Sequence, residues 1–369
     1  VPSENSSFTI AVLPGDGVGV EVIEATVPLI EKAVRGGGST FCFREHPAGA
    51  RRYKETGEAL PEATFEACRD ADAILFGAMG WPEIRYPDGT EIAPQLDLRF
   101  RLELYAGVRP VRAIPGVLLA LADPRAREID LVVVRENTEG LFASRGNGVR
   151  TGDREARDTM VITRKGSERL FEYAFRLAGR RRTARTKTSK LGRRAAVTCV
   201  DKANVFVSLA FFREVFDEVS RRHPSIAARH HYVDAMALDL IRRPWEFDVM
   251  VTENMFGDIL SDETAGLIGG MGMAPSGDIG DQHAMFQPCH GSAPDIAGQG
   301  KANPTATILS AAMMLDWLGE RSGQAALIEA AMKLERAVND SFGSGRIRPY
   351  EFGGSDGTQA IADAVASNL

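Results

Sequence analysis

The chain has 369 residues, 44% of them hydrophobic and 25% charged, which is long enough to bury two cores and too apolar for a disordered chain. A formal net charge of -6 excludes general affinity for nucleic acid or acidic membrane, so anion binding must come from local basic residues. Cys42, Cys68, Cys199 and Cys289 stand singly with no C-x-x-C pair, which excludes a zinc knuckle and a disulfide framework and fits a reducing cytoplasm.

The first segment, VPSENSSFTIAVLPGDG, has no basic region followed by an apolar one, and no later apolar run reaches membrane-spanning length. A soluble, untargeted protein is expected. Along the chain, strand-like runs alternate with helical periodicity: FTIAVLPGDG, a helix through EVIEATVPLIEKAV, then AILFGAMG, then LVVVREN. That alternation predicts an α/β architecture with a largely parallel sheet. GDGVG after the first strand resembles a dinucleotide fingerprint, but Val20 fails its third glycine position, so a Rossmann fold is not indicated. Pro110 and Pro115 mark one crossover between domains, and the glycine-rich GLIGGMGMAPSGDIGD marks another, so the C-terminal part completes the first domain. The expected division is 1–104 with 269–369, and 105–268. No internal repeat is visible. The basic run GRRRTARTKTSKLGRR, residues 179–194, reads as a solvated connecting loop before the strand AAVTCV.

The chemistry concentrates in VTENMFGDILSDETAGLIGG, residues 251–270. A buried carboxylate without a partner is costly, so acids in so apolar a run face a cleft or a cation. In a helix Asp258 and Asp262 share one face a turn apart, while Glu263 is rotated about 100° away. Asp234, just after an apparent strand in YVDAMALDL, is a third candidate, and Asp239 reads as a surface helix acid. Oxygen ligands without His or Cys favour Mg2+ or Mn2+ over zinc.

GDILSD together with YVDAMAL, VRENTEG, VDKANV and HGSAPDIAGQGKANPTA resembles the decarboxylating β-hydroxyacid dehydrogenases, the family of isopropylmalate, isocitrate, homoisocitrate and D-malate or tartrate dehydrogenases. The resemblance runs from Ala11 to about Thr358 with its motifs in order. It implies an isopropylmalate dehydrogenase-like fold of two α/β domains flanking a cleft: a larger, discontinuous cofactor-binding domain and a smaller one with the dimer interface and metal ligands. It also implies an obligate homodimer whose cation is held by Asp258 and Asp262 with the partner subunit's Asp234. The reaction implied is hydride transfer from a 2-hydroxy acid to NAD, followed by loss of carbon dioxide from the β-keto acid. A cation would acidify the hydroxyl and steady the developing negative oxygen.

By the same resemblance, Arg99, Arg109 and Arg135 bind substrate carboxylates, for which guanidinium forks are suited. Arg101 is as readily a solvated residue. Lys202 takes the hydroxyl proton across the dimer interface, with Asn204 close by. The loop of residues 290–304 holds the adenosine end: His290 and Ala293 among its cofactor-binding residues, Gly291 and Ser292 letting backbone approach the phosphates, Asp295 on the ribose hydroxyls, Ile296 after it, and Asn303 at the adenine. Asp295 would repel the extra phosphate of NADP, so NAD is expected.

Three positions depart from the family pattern. Phe142 stands where most members carry the tyrosine that helps protonate the enolate. Gln287 replaces a usual glutamate, removing a negative charge expected near the cofactor phosphates. Val20 replaces a proline. In the specificity segment EIAPQLDLR, Ile92, Ala93, Gln95 and Leu96 match neither the isopropylmalate nor the isocitrate pattern. Gln95 would pair poorly with a bare isopropyl group, so a polar or small C3 group is weighed equally. Trp81 and Tyr86 either narrow this pocket or pack structurally. The expected function is therefore NAD- and divalent-metal-dependent oxidative decarboxylation of a 3-substituted malate: 3-isopropylmalate, tartrate or D-malate, or an isocitrate-like acid. The alternative is a catalytically impaired regulatory or binding subunit. No nucleic-acid or membrane partner is expected.

Overall fold

A computed structural model describes residues 6–188 and 195–369. They form two compact units: the chain up to Glu103 with Ile114–Ala120 and Ile268–Leu369, and Leu104–Ala113 with Leu121–Leu267.

The first unit opens with β1 (Ser6–Gly15), whose apolar stretch is buried between parallel neighbours β2 (Ser39–Glu45) and β3 (Ala73–Ala78). Helix α1 (Val18–Val34) begins three residues before the predicted segment and buries Val22, Ile23, Thr26, Leu29, Ile30 and Ala33, one stripe of a 3.6-residue period. It is followed by α2 (Ala50–Thr56), α3 (Glu62–Asp70) and, after β3, α4 (Pro94–Arg101), which starts on proline where a missing N–H costs nothing.

The second unit begins with β4 (Ala106–Arg112), antiparallel to β5 (Asp130–Glu136). An exposed hairpin, β6 (Val149–Thr151) and β7 (Glu155–Arg157), precedes α5 (Arg164–Thr188). Then come β8 (Ala196–Asp201), α6 (Val207–Ser220), β9 (Ala227–Tyr232), α7 (Val233–Arg242), β10 (Val249–Thr252) and α8 (Asn254–Leu267). The strands lie in the order β4-β5-β10-β8-β9, parallel after the first pair. Phe171 and Phe175 of α5 meet Phe212 and Phe216 of α6, with ring centroids 4.5 to 5.4 Å apart, and close the core on one face.

The basic run departs from the expected loop: α5 continues through it to Thr188, while 189–194 lie outside the described residues. Arg181 supplies a reason, donating from Nε to Asp248 and from Nη2 to Asp130, each at 2.9 Å. A run read from sequence as a solvated loop is thus helical up to Thr188, with tertiary partners at Arg181.

Back in the first unit, β11 (Pro275–Ile279) and β12 (Ala284–Pro288) form an antiparallel pair, and β12 continues parallel to β3, giving β2-β1-β3-β12-β11. Helices α9 (Thr305–Ser322), α10 (Ala325–Gly343) and α11 (Thr358–Ser367) complete it. The expected α/β fold with a predominantly parallel sheet is borne out.

Candidate active site

In the second unit several of the candidate side chains gather where β5 and β10 end. These strands pair in parallel with Thr252 opposite Arg135, so the residues following Thr252 lie beside those following Arg135. Asn254, the first residue of α8, accepts from Arg135 Nε at 3.0 Å and Nη2 at 2.8 Å. One turn along, Asp258 accepts from Arg135 Nη1. Arg135 is 4% exposed, and this half-exposed carboxylate supplies a negative charge to its buried cation. Helix and strand approach this closely because residue 257 is glycine: a Cβ there would stand 2.6 Å from the Cβ of Arg135.

Asp262, a further turn along α8, has its carboxyl raised by burial and by the charge of Asp258, against the pull of Arg109 and Arg135. Arg109, on β4, is also buried. The expected acid pair and two of the expected arginines are therefore neighbours. Phe142, in the short 3-10 turn Phe142–Ser144, sets its ring 4.8 Å from the Arg135 guanidinium carbon.

Lys202 follows β8, and its Nζ lies 2.7 Å from Asp234 in the first turn of α7. The contact holds the Asp234 carboxyl below its usual range. The neighbouring Asp201 is buried against Arg213 at 2.6 Å. Asn204 is exposed. Asp239 is not the surface acid expected: it is 5% exposed and accepts from His231 and Arg243. Among the described residues no three His, Cys, Asp or Glu side chains come together as a metal-holding group, so Asp234 does not join Asp258 and Asp262 within one chain.

Two buried glutamates escaped the sequence reading. Glu136 accepts from the Thr138 and Glu139 backbone and from the Thr138 hydroxyl, and burial pushes its carboxyl up to about 7. Glu253 accepts from Met255 and Phe256 N–H groups at the start of α8, and burial raises it also. Both brace the turns that aim Arg135 and Asn254. The signal was the recurrence of Glu-Asn at two strand ends, VREN and VTEN.

In the first unit Arg99 is 6% exposed on α4, and its Nε donates to Asp278 of β11 at 3.0 Å. Gln287 of β12 donates to the same Asp278 oxygen at 2.8 Å, a hydrogen-bond role where sequence suggested only a missing charge near phosphates. Arg101 is exposed, paired with Glu62 at 2.5 Å and stacked on Phe65. Gln95 lies one turn before Arg99, and its Oε1 is buried with no hydrogen-bond partner among the described residues. Ile92 has no exposed surface and packs with Ala50 and Ala59, against which Trp81 and Tyr86 also lie. These apolar residues form a packed wall.

The loop of residues 290–304 is fixed at both ends. Val18 N–H donates to Ser292 O at 2.8 Å, and a Cβ at Gly17 (φ 57°) would stand 2.0 Å from that oxygen, so this approach requires glycine. The Ser292 hydroxyl donates to Gly80 O. His290 is bonded through Nδ1 to Gly291 O, and burial lowers its pKa. Ala293 (φ 38°) and Ile296 pack on Val18, Val22 and Ala302, while Gly291 and Asp295 are exposed. At the far end Gly300 donates to Glu21 at 3.1 Å and accepts from Thr358 N–H at 2.8 Å. Asn303 accepts from the Thr305 N–H and hydroxyl at the start of α9 and donates to Glu351 at 2.5 Å, so its side chain is engaged within the chain.

The sequence profile described as isocitrate/isopropylmalate dehydrogenase matches residues 9–365. The chain belongs to the isocitrate/isopropylmalate dehydrogenase family. Among its relatives, the 3-isopropylmalate/3-methylmalate dehydrogenase of Methanocaldococcus jannaschii is 44% identical over 361 residues, covering 98% of each chain. The homoisocitrate dehydrogenase of the same organism is 42% identical over 370 residues, covering 98% of this chain and 97% of that one. The crystal structure of isocitrate dehydrogenase from Methylococcus capsulatus superposes with a TM-score of 0.83 at 37% identity, covering 98% and 99% of the two chains. Family and relatives' names mark a hydroxy-acid dehydrogenase of the isopropylmalate/isocitrate type. No helix among the described residues is long and apolar enough to cross a membrane.

Proposed function

We propose that this family member catalyses NAD-dependent oxidative decarboxylation of a 3-substituted malate-type 2-hydroxy acid, as a cytoplasmic homodimer using Mg2+ or Mn2+. The observation that carries the reading is the carboxylate pair on α8 beside buried Arg135. The donor set fits a hard cation: Asp258 and Asp262 offer oxygen alone, and the repulsion that raises Asp262 is one that a doubly positive ion relieves. The partner subunit's Asp234 would complete the set. Exposed apolar side chains Val205, Phe206, Leu238, Ile241 and Ile259, on the elements carrying Lys202, Asp234 and Asp258, support a second copy covering this face.

When bound, the cation would supply Lewis acidity and the nicotinamide a hydride acceptor. The chain's own residues do the rest. Arg99, Arg109 and Arg135 hold substrate carboxylates, and fixed carboxylates orient the acid for hydride loss. Lys202, steadied by Asp234, takes the hydroxyl proton. Loss of carbon dioxide then leaves an enol(ate) carbon needing a proton, which the Phe142 ring cannot give. That proton comes from water or another group. Asp295 of the anchored loop faces the ribose and the backbone of Gly291 and Ser292 lies along the phosphates, while His290, Ala293 and Ile296 hold the shape of this cofactor-binding loop. Because the Asn303 side chain is engaged with Glu351 and Thr305, its contact with adenine falls to the backbone. Gln95 sets the choice at C3 among isopropyl, small or polar, and longer acidic groups; Ile92, fully enclosed, has no surface to offer the substrate.

The substitution at Phe142 favours one other reading, a regulatory subunit that binds ligands without turnover. Assaying purified protein with NAD, Mn2+ and a panel of 3-substituted malates, following NADH and carbon dioxide separately, distinguishes them. NADH formation is expected on at least one acid. Tight binding without any NADH would sink the enzyme reading.

A further inference from the structure

Three polar side chains from three elements of the first unit meet away from solvent: Arg99 of α4 (6% exposed), Asp278 of β11 (0%) and Gln287 of β12 (7%). The antiparallel register sets Ser276, not Asp278, opposite Gln287, so the Gln287 side chain reaches diagonally to the Asp278 oxygen that also takes Arg99 Nε. That bond uses the nitrogen at the stem of the guanidinium. Among the described residues neither terminal nitrogen of Arg99 has a partner. Arg99 is thus gripped from behind with its two-pronged end open.

We propose that Asp278 is a positioning residue for Arg99, and that Gln287 keeps Asp278 in place as a neutral donor. The inference rests on the reading of Arg99 as a substrate-carboxylate ligand. A free arginine explores many rotamers and loses that freedom on binding; one anchored at Nε presents both Nη donors already oriented. Gln287 matters because of what it is not. A carboxylate in its place would face Asp278 across hydrogen-bonding distance, and two like charges so close cannot both ionise cheaply. Arg99 brings a positive charge to Asp278, and α9 meets β11 through Ser310 and Met313, both uncharged. The amide donates to Asp278 without adding charge, leaving Asp278 ionised for Arg99.

The test uses full-length wild type, Asp278→Ala, Asp278→Asn and Gln287→Glu, with steady-state kinetics on the best acid from the malate panel. Asp278→Ala should raise KM for the hydroxy acid about tenfold or more, with kcat changed less than KM and the NAD KM unchanged. Asp278→Asn keeps an acceptor and should fall between. Gln287→Glu should give a KM near wild type in acid, where the protonated carboxyl can donate as the amide does. Its KM should rise with pH as that proton is lost, a dependence wild type does not share. Unchanged or tighter acid binding in Asp278→Ala, or a Gln287→Glu profile parallel to wild type, would overturn the proposal. If wild type turns over no acid, the enzyme reading fails by itself. Crystal structures of wild type and Asp278→Ala then decide the positioning claim: Arg99 should change rotamer, and an unmoved guanidinium overturns it.

Discussion

Phe142 presents a phenyl face to the Arg135 guanidinium, where the family resemblance leads one to expect a phenol. The ring keeps its cation–π contact, so the substitution removes a proton donor without emptying the site. Phe142→Tyr should therefore raise carbon dioxide release relative to NADH by about a hundredfold if protonation limits decarboxylation, the lower end of what a placed acid contributes. An unchanged carbon dioxide to NADH ratio would remove Phe142 from the account. The arginines, the acid pair and Lys202 were legible in the sequence because their motifs are local. Asp278 and Glu253 were not, since what gives them meaning is a partner on another strand or a turn that buries them. Nor could sequence foretell that Ile92 is fully enclosed or that the Asn303 amide is committed to Glu351.

Secondary-structure elements were read well where apolar periodicity was strong, as in β1, α1, β3 and β5. The reading failed on the basic end of α5, because helix there is sustained by Arg181 reaching Asp130 and Asp248, which no local pattern records. The turn closing β5 carries a pH dependence of its own. Burial pushes the Glu136 carboxyl from 4.5 to about 7, so the folded state holds this proton more tightly than the unfolded chain. Its contribution to stability is complete below about 4.5 and is lost as pH rises through 7. Between pH 4 and 8 wild type should lose up to about 3 kcal/mol relative to Glu136→Gln, read from urea unfolding at each pH. Parallel stability curves would show that the carboxyl does not titrate this way. On α8, Gly257→Ala should cost about 1–3 kcal/mol by forcing the helix off Arg135, and should reduce turnover more than stability alone explains. Full activity in that variant would mean the contact is not needed.

At the scale of the whole molecule, Lys202 and Asp234 form one pair and Asp258 and Asp262 another, and the proposed reaction requires both at one substrate. A homodimer that exchanges the first pair predicts complementation. Lys202→Met and Asp258→Asn should each be nearly inactive alone. Mixed under conditions that reshuffle subunits, they should recover about a quarter of wild-type activity, since half the dimers are hybrid and each hybrid has one intact site. No recovery despite hybrid formation would place all four residues at a site within one chain. The loop of residues 290–304 carries a longer-range dependence. Gly300 hangs between Glu21 and the first N–H of α11, so the last helix acts as a latch on that loop. If the loop holds NAD as proposed, fraying of the first turn of α11 would slacken its grip on nucleotide, and warming should uncouple cofactor from protein some degrees before the protein melts.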